Sequence, residues 1–172
     1  MRNMSGIAVS VVSTFLVAAC ATIPKEPAAL AQLEARSGST VSGSASFLQT
    51  AGGVKVSAKF SGLTPGEHGF HLHESGDCSA ADAMSAKGHF NPEARAHGDP
   101  GRSEHHAGDM PNLLANAQGE ATYAYQLTGA TLSGPNGLVG RSAVVHADPD
   151  DYNSQPAGNS GKRVACGTIV SR

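Results

Sequence analysis

Eight histidines stand out in a chain of 172 residues that has no Trp and only 5% aromatic residues. His71 and His73 lie two apart in Gly69-Phe70-His71-Leu72-His73-Glu74, and on an extended strand that spacing sends both imidazoles to one face. A rigid strand offers two ligands to one ion in this way. His146 follows Val144-Val145 in a second strand-like run. His89, His97, His106 and Asp109 fall within or at the end of a long irregular stretch, with His106 and Asp109 three apart. Imidazole suits copper and zinc, and a carboxylate fits a zinc site better than a copper site. Spacing alone reads as a metal site, most simply of two ions. For the adjacent His105 and His106, the distance to Asp109 favours His106 as ligand and leaves His105 as a solvated or secondary contact.

The elements that must hold these side chains are strands. Val54, Val56, Ala58 and Phe60 alternate with Lys55, Ser57 and Lys59, the pattern of a half-buried strand. The Ala51-Gly52-Gly53 turn leads back to a second strand across Val41 to Phe47. Leu113 to Asn116 and Ala121 to Tyr125 flank a Gln118-Gly119 turn and predict another hairpin. Gly66 to Glu74, Gly140 to Ala147 and Arg163 to Val170 complete the set. Two stretches lack periodicity, Ser75 to Pro111 and Asp148 to Lys162. Loops of that length in a compact domain are uncommon unless functional. The fold class is therefore all-β, an antiparallel sandwich or barrel with two long functional loops.

Ahead of this domain, Arg2 is the only charge before an apolar run from Ile7 to Ala19. That run is shorter than the roughly 20 residues that span a bilayer, and it ends in small residues as signal peptides do. Val17-Ala18-Ala19-Cys20 resembles a bacterial lipobox. Residues 1–19 thus read as a lipoprotein-type signal peptide, 20–38 as a lipidated Cys20 and a tether, and 39–172 as the domain. An ordinary signal peptide cut near Ala19 or Ala21 is the alternative, and Ala28 to Arg36 has the composition of a short helix. Either way the protein is exported, to the periplasm or cell surface. With Cys20 lipidated, Cys78 and Cys166 remain to form a bridge in an oxidising compartment, the alternative being two separate buried thiols. A formal net charge of −2 gives no basic field for nucleic acid, so membrane association rests on the lipid alone.

The wording of the motifs goes further than their spacing. Gly69 to Glu74, Gly88-His89-Phe90-Asn91-Pro92, His97-Gly98, His106-Ala107-Gly108-Asp109, Val144 to Asp148 and Gly158 to Gly167 resemble the copper–zinc superoxide dismutases, in register from about Ser39 to the C-terminus. The resemblance implies a Greek-key β-barrel and dismutation of superoxide anion to oxygen and peroxide. It implies copper on His71, His73, His89 and His146, and zinc on His97, His106, Asp109 and the shared His89. Asp150 would orient His71 and His97 from behind, His68 would be a buried structural histidine, and Arg163 would guide superoxide to the copper. Ser79 to Lys87 and Asp150-Asp151-Tyr152 resemble exported bacterial members in particular. A homodimer is compatible with the resemblance, although no interface is legible.

Two departures bear on function. Pro156 and Ala157 stand where the resemblance leads one to expect Lys and Thr, so charge guidance falls to Arg163, Lys162 and the loop residues Lys87 and Arg102, whose plain reading is solvated charge. The alternative function is a copper- and zinc-binding protein of the same fold without dismutase activity, and a remoter one is an adhesive β-sandwich. Degenerate members would lose a ligand or the arginine, and here seven ligands and Arg163 are present.

Overall fold

In a computed structural model the chain is described over residues 29–172; the expected signal peptide and Cys20 lie outside the described residues. Ten strands follow one another: β1 (Ala29–Ala35), β2 (Ser42–Thr50), β3 (Gly53–Ser61), β4 (Gly66–His68), β5 (Phe70–His73), β6 (Leu113–Ala115), β7 (Ala121–Thr128), β8 (Ser142–His146), β9 (Arg163–Thr168) and β10 (Val170–Ser171). The main sheet curls in the order β5-β8-β9-β1-β2-β3-β7, with β10 on β1 and a separate β4-β6 ribbon. Every ladder between strands is antiparallel. The architecture is the Greek-key barrel, and its only helical turn is a 3-10 turn at Met84–Ala86 among the described residues. No helix among them is long and apolar enough to cross a membrane.

Three expectations change. Ala29 to Ala35 is neither tether nor helix but a central strand, so the domain begins before residue 39. Its Ala, Leu, Gln and Glu favour helix, yet Ala29, Ala31 and Leu33 alternate into the core, and pairing on both edges overrides propensity. Gly66 to Glu74 is two strands rather than one. The chain breaks at Gly69, where β4 leaves for β6 and β5 pairs with β8. The Asn116–Glu120 turn forms as expected, but its arms form ladders with β4 and β3 instead of with each other.

Few aromatics means a core of Val, Leu and Ala around a small aromatic cluster. Phe70 packs edge-on against Phe60 and Tyr123, each at 5.2 Å between ring centroids. Such edge-to-face pairs add about 0.5–1.5 kcal/mol beyond their burial. Phe70, Leu72, Ala143, Val145 and Ala165 face that core. On the opposite side of the same strands, Val144 and Cys166 pack with Ala83 and Ala86 of the first long loop. The loop thus roofs the outer face of β5, β8 and β9, and all four residues of β5 are buried.

Candidate metal centre

Because Phe70 and Leu72 take the core side of β5, His71 and His73 are left on the roofed side. The long loop reaches them by stitching itself to the free edge of β5. Glu74 donates its N–H to the Gly88 carbonyl and Phe90 to that of Leu72, while Leu72 donates to Gly108. His89 therefore stands opposite His73 in an isolated antiparallel bridge. Gly108 is required here: a Cβ would run into the Leu72 carbonyl. On β8 a register irregularity between Val145 and His146 sets His146 across from Arg163.

Two groups of ligand atoms result. Those of His71, His73, His89 and His146 lie within 4.8 Å of one another, as do those of His89, His97, His106 and Asp109, and all seven residues are buried. His89 belongs to both. The first group comes from β5, β8 and the roof, the second from the roof alone. His105 stands outside both, its Nδ1 bonded to the His106 carbonyl at 2.7 Å.

The atoms left without partners identify which nitrogens face an ion. Asp150 receives hydrogen bonds from His71 Nε2 at 2.8 Å and His97 Nε2 at 2.9 Å. Both rings are thereby fixed, with Nδ1 turned the other way. His73 Nδ1 donates to the Lys87 carbonyl at 2.9 Å, leaving Nε2 for the site. Among the described residues, four buried nitrogens make no hydrogen bond of proper geometry: His71 Nδ1 and His89 Nε2, and His97 Nδ1 and His106 Nδ1, which lie 3.0 and 3.3 Å from the Asp109 carboxylate of their own group. Buried polar atoms without partners are rare in folded proteins and call for an explanation. Cations shared between these lone pairs supply one, and the donor set fits copper on the all-imidazole group and zinc on the group with a carboxylate.

Electrostatics point the same way. Burial, then the charge of neighbouring His71, pushes His89 down to about 4. Burial and adjacent imidazoles hold His73 and His146 well below the ordinary imidazole value. For His97 burial opposes protonation, but the carboxylates of Asp109 and Asp150 outweigh it and push the group up to about 9. Burial likewise opposes ionisation of Asp109 and Asp150, yet the surrounding imidazoles keep both well below the usual carboxylate range. Apart from His97, whose proton a metal must displace, the shifted groups favour neutral imidazoles and ionised carboxylates, the forms a metal needs.

A family described as copper/zinc superoxide dismutase (SODC) matches residues 41–169. The chain belongs to the copper/zinc superoxide dismutases. Similar relatives include an extracellular superoxide dismutase [Cu-Zn] of Brugia pahangi, 41% identical over 87% of this chain and 78% of that one. Superoxide dismutase [Cu-Zn] 3 of Arabidopsis thaliana is 44% identical over 75% of this chain and 82% of its own. Among solved structures, one titled as the clock protein EA4 superposes with a TM-score of 0.75 at 39% identity, covering 85% of this chain and 96% of that one. The protein is a superoxide dismutase that uses copper and zinc.

Around the dismutase centre lie residues that the sequence pointed to and others it did not. Cys78 and Cys166 are joined, with Cα atoms 5.7 Å apart, so the roof is tied to β9. Arg163, three residues before Cys166, donates to the Ala83 carbonyl at 2.7 Å and the Lys87 carbonyl at 2.6 Å. It lines a cavity of ≈ 240 Å³ together with His146, Met84 and Pro156. His68 is buried between the carbonyls of His146 and Thr64, at 2.9 and 2.8 Å, and supports the first from behind. Unforeseen were Gln155, whose amide accepts from the His97 N–H at 3.0 Å and donates to its carbonyl at 2.8 Å, and Asn112, which grips the Asp150 backbone in the same reciprocal way. A lone amide in a polar loop carries no signal of the backbone it will meet.

Proposed function

We propose that His71 Nδ1 and the Nε2 atoms of His73, His89 and His146 hold copper, while the Nδ1 atoms of His89, His97 and His106 hold zinc with Asp109. The observation that carries this reading is the Asp150 carboxylate clasped between His71 and His97, which turns one lone pair of each ring toward the site. When bound, copper supplies the one-electron chemistry that oxidises one superoxide and reduces the next, and zinc supplies none. The chain's own residues do the rest. Arg163 binds the anion, since guanidinium stays charged and presents a planar fork of donors. His89 holds a proton at Nε2 between the two half-reactions. Asp150 and His68 orient ligands, and the Cys78–Cys166 bridge holds the roof carbonyls that aim Arg163.

The protein is further read as a bacterial, exported member, anchored by lipid on Cys20 and protecting the cell envelope from superoxide arising outside the cytoplasm. The apolar run from Ile7, the Val17-Ala18-Ala19-Cys20 motif and the extracellular relative support export. The shared histidine is tested by His89→Ala, which is expected to uncouple the two metals and change the copper spectrum. An unchanged spectrum refutes the bridge.

A further inference from the structure

Met84 opens the 3-10 turn of the first long loop with its side chain turned away from the packing there. Its neighbours Ala83 and Ala86 are fully buried with Val144 and Cys166, while Met84 is 60% exposed. The backbone around it is fixed. The Met84 N–H donates to Asp82 Oδ1 at 3.0 Å, and its carbonyl accepts from the Lys87 N–H at 3.0 Å. The Ala83 carbonyl just before it accepts from Arg163 Nη1 at 2.7 Å. A flexible thioether thus stands on a rigid turn beside the guanidinium.

Met84 and Arg163 share the cavity of ≈ 240 Å³ with His146. That histidine belongs to the all-imidazole group, and its Nε2 lies 3.4 Å from His73 Nε2. In the same group, His71 Nδ1 and His89 Nε2 are buried nitrogens that make no hydrogen bond. The cavity therefore runs from an exposed thioether to the edge of a cluster of free nitrogen lone pairs. Among the described residues that line it, none offers a carboxylate or a thiol; Gln155, Asn159 and Ser160 are its other polar side chains.

A metal ion that takes this way to the imidazoles must pass Arg163. Coulomb repulsion scales with charge, so the guanidinium opposes a divalent ion about twice as strongly as a monovalent one at the same distance. A carboxylate at the mouth would attract cations but would also pair with Arg163. A thioether carries no charge and leaves the guanidinium free for its anion. Its sulfur is a soft donor, which selects Cu(I) over harder divalent ions. Outside the cavity, the Asp82 carboxylate offsets part of the Arg163 field and eases the approach of a cation.

We propose that Met84 is the entry ligand for cuprous copper: its thioether takes Cu(I) at the mouth of the Arg163 cavity and yields it to His146 and the imidazoles beyond. The step is a ligand exchange, in which imidazole lone pairs replace a sulfur lone pair and no electron is gained or lost. The inference rests on the reading of His71, His73, His89 and His146 as the copper ligands.

The test follows the rate of copper uptake by zinc-loaded, copper-free protein, with Cu(I) supplied anaerobically as its acetonitrile complex and Cu(II) as its sulfate. Met84→Leu keeps the bulk of the side chain and removes the sulfur. It is expected to slow Cu(I) uptake about tenfold, the factor that about 1.4 kcal/mol of lost binding produces. Its Cu(II) uptake and its final copper content should equal those of wild type. Adding Leu114→Met to this variant returns a thioether to an exposed position on β6, outside the cavity lining, and uptake is expected to stay slow. A direct readout is the methionine methyl spectrum of the fully loaded enzyme titrated with Ag(I), a soft monovalent ion. The Met84 methyl should move, and that of Met110, which is fully buried, should not. Equal Cu(I) uptake by wild type and Met84→Leu overturns the proposal, as does an unmoved Met84 methyl. Equal slowing of Cu(I) and Cu(II) makes the residue structural, and recovery through Leu114→Met removes the cavity from the account; either result also overturns it. If Cu(II)-loaded wild type shows no imidazole nitrogen in its copper spectrum, the reading of the four copper ligands has failed first, and this inference falls with it.

Discussion

Asp150 is four residues past His146 and far in sequence from the two rings it holds, yet it fixes both with one carboxylate. Removing one acceptor leaves His71 or His97 free to turn its Nε2–H elsewhere, and the vacated lone pair no longer faces the site. Outer partners of this kind contribute about 10–100-fold to metal affinity. Asp150→Asn is therefore expected to weaken zinc and copper retention by that order in competition with a chelator, with the fold intact by circular dichroism. Affinity equal to wild type would mean that packing alone orients the rings. At this scale the sequence was informative where a residue type has few other uses: clustered histidines, an Asp in register, one arginine before a cysteine. Gln155 and Asn112 were silent, because their role is to bond backbone whose position depends on the folded loop.

Among the elements, β5 is decisive. Its alternation of Phe70 and Leu72 with His71 and His73 separates core from site across the thickness of one strand. Of the other strands, β3 was legible from period-two patterning and the rest from turns and strand-like runs, apart from β1, whose helix-forming composition hid a strand that only its neighbours explain. The break at Gly69 was equally hidden, since a strand-like run of histidines and apolar residues does not reveal a change of partner. The roof has no periodicity and could be recognised only as long and rich in ligands. Its anchorage is the disulfide, helped by Arg36 Nε donating to the Cys78 carbonyl at 2.8 Å. Cys78→Ser with Cys166→Ser is expected to cost about 2–5 kcal/mol in denaturant unfolding. Turnover should fall as well, because the acceptors that aim Arg163 lie in the released loop. Stability loss with full turnover would show that Arg163 is held independently of the bridge.

For the molecule as a whole, the metal-free barrel carries the protonation preferences of its ligands. His73, His89 and His146 bind protons less readily in the fold than in the unfolded chain, so the unfolded state holds more protons as pH falls below about 6.5. Stability is then lost toward pH 4. His97 has the opposite sign: its raised value, about 9, gives stability that is complete below about 6.5 and lost as pH rises toward 9. Metal-free protein is therefore expected to be most stable near pH 6.5, read as a maximum in melting temperature across a pH series. A profile that keeps rising from pH 6.5 to 9 would contradict the charged state assigned to His97. Bound metal commits the same lone pairs, so the alkaline decline should vanish on loading while the acid one persists.

The claim on which all of this depends is that superoxide turnover follows copper held by these imidazoles. The direct measurement is a superoxide dismutation assay on metal-analysed protein, before chelation, after it, and after return of zinc with graded copper. Activity is expected to disappear on chelation and to return in proportion to bound copper, with manganese and iron restoring none. Activity that survives chelation, or that returns with manganese or iron, would contradict the account.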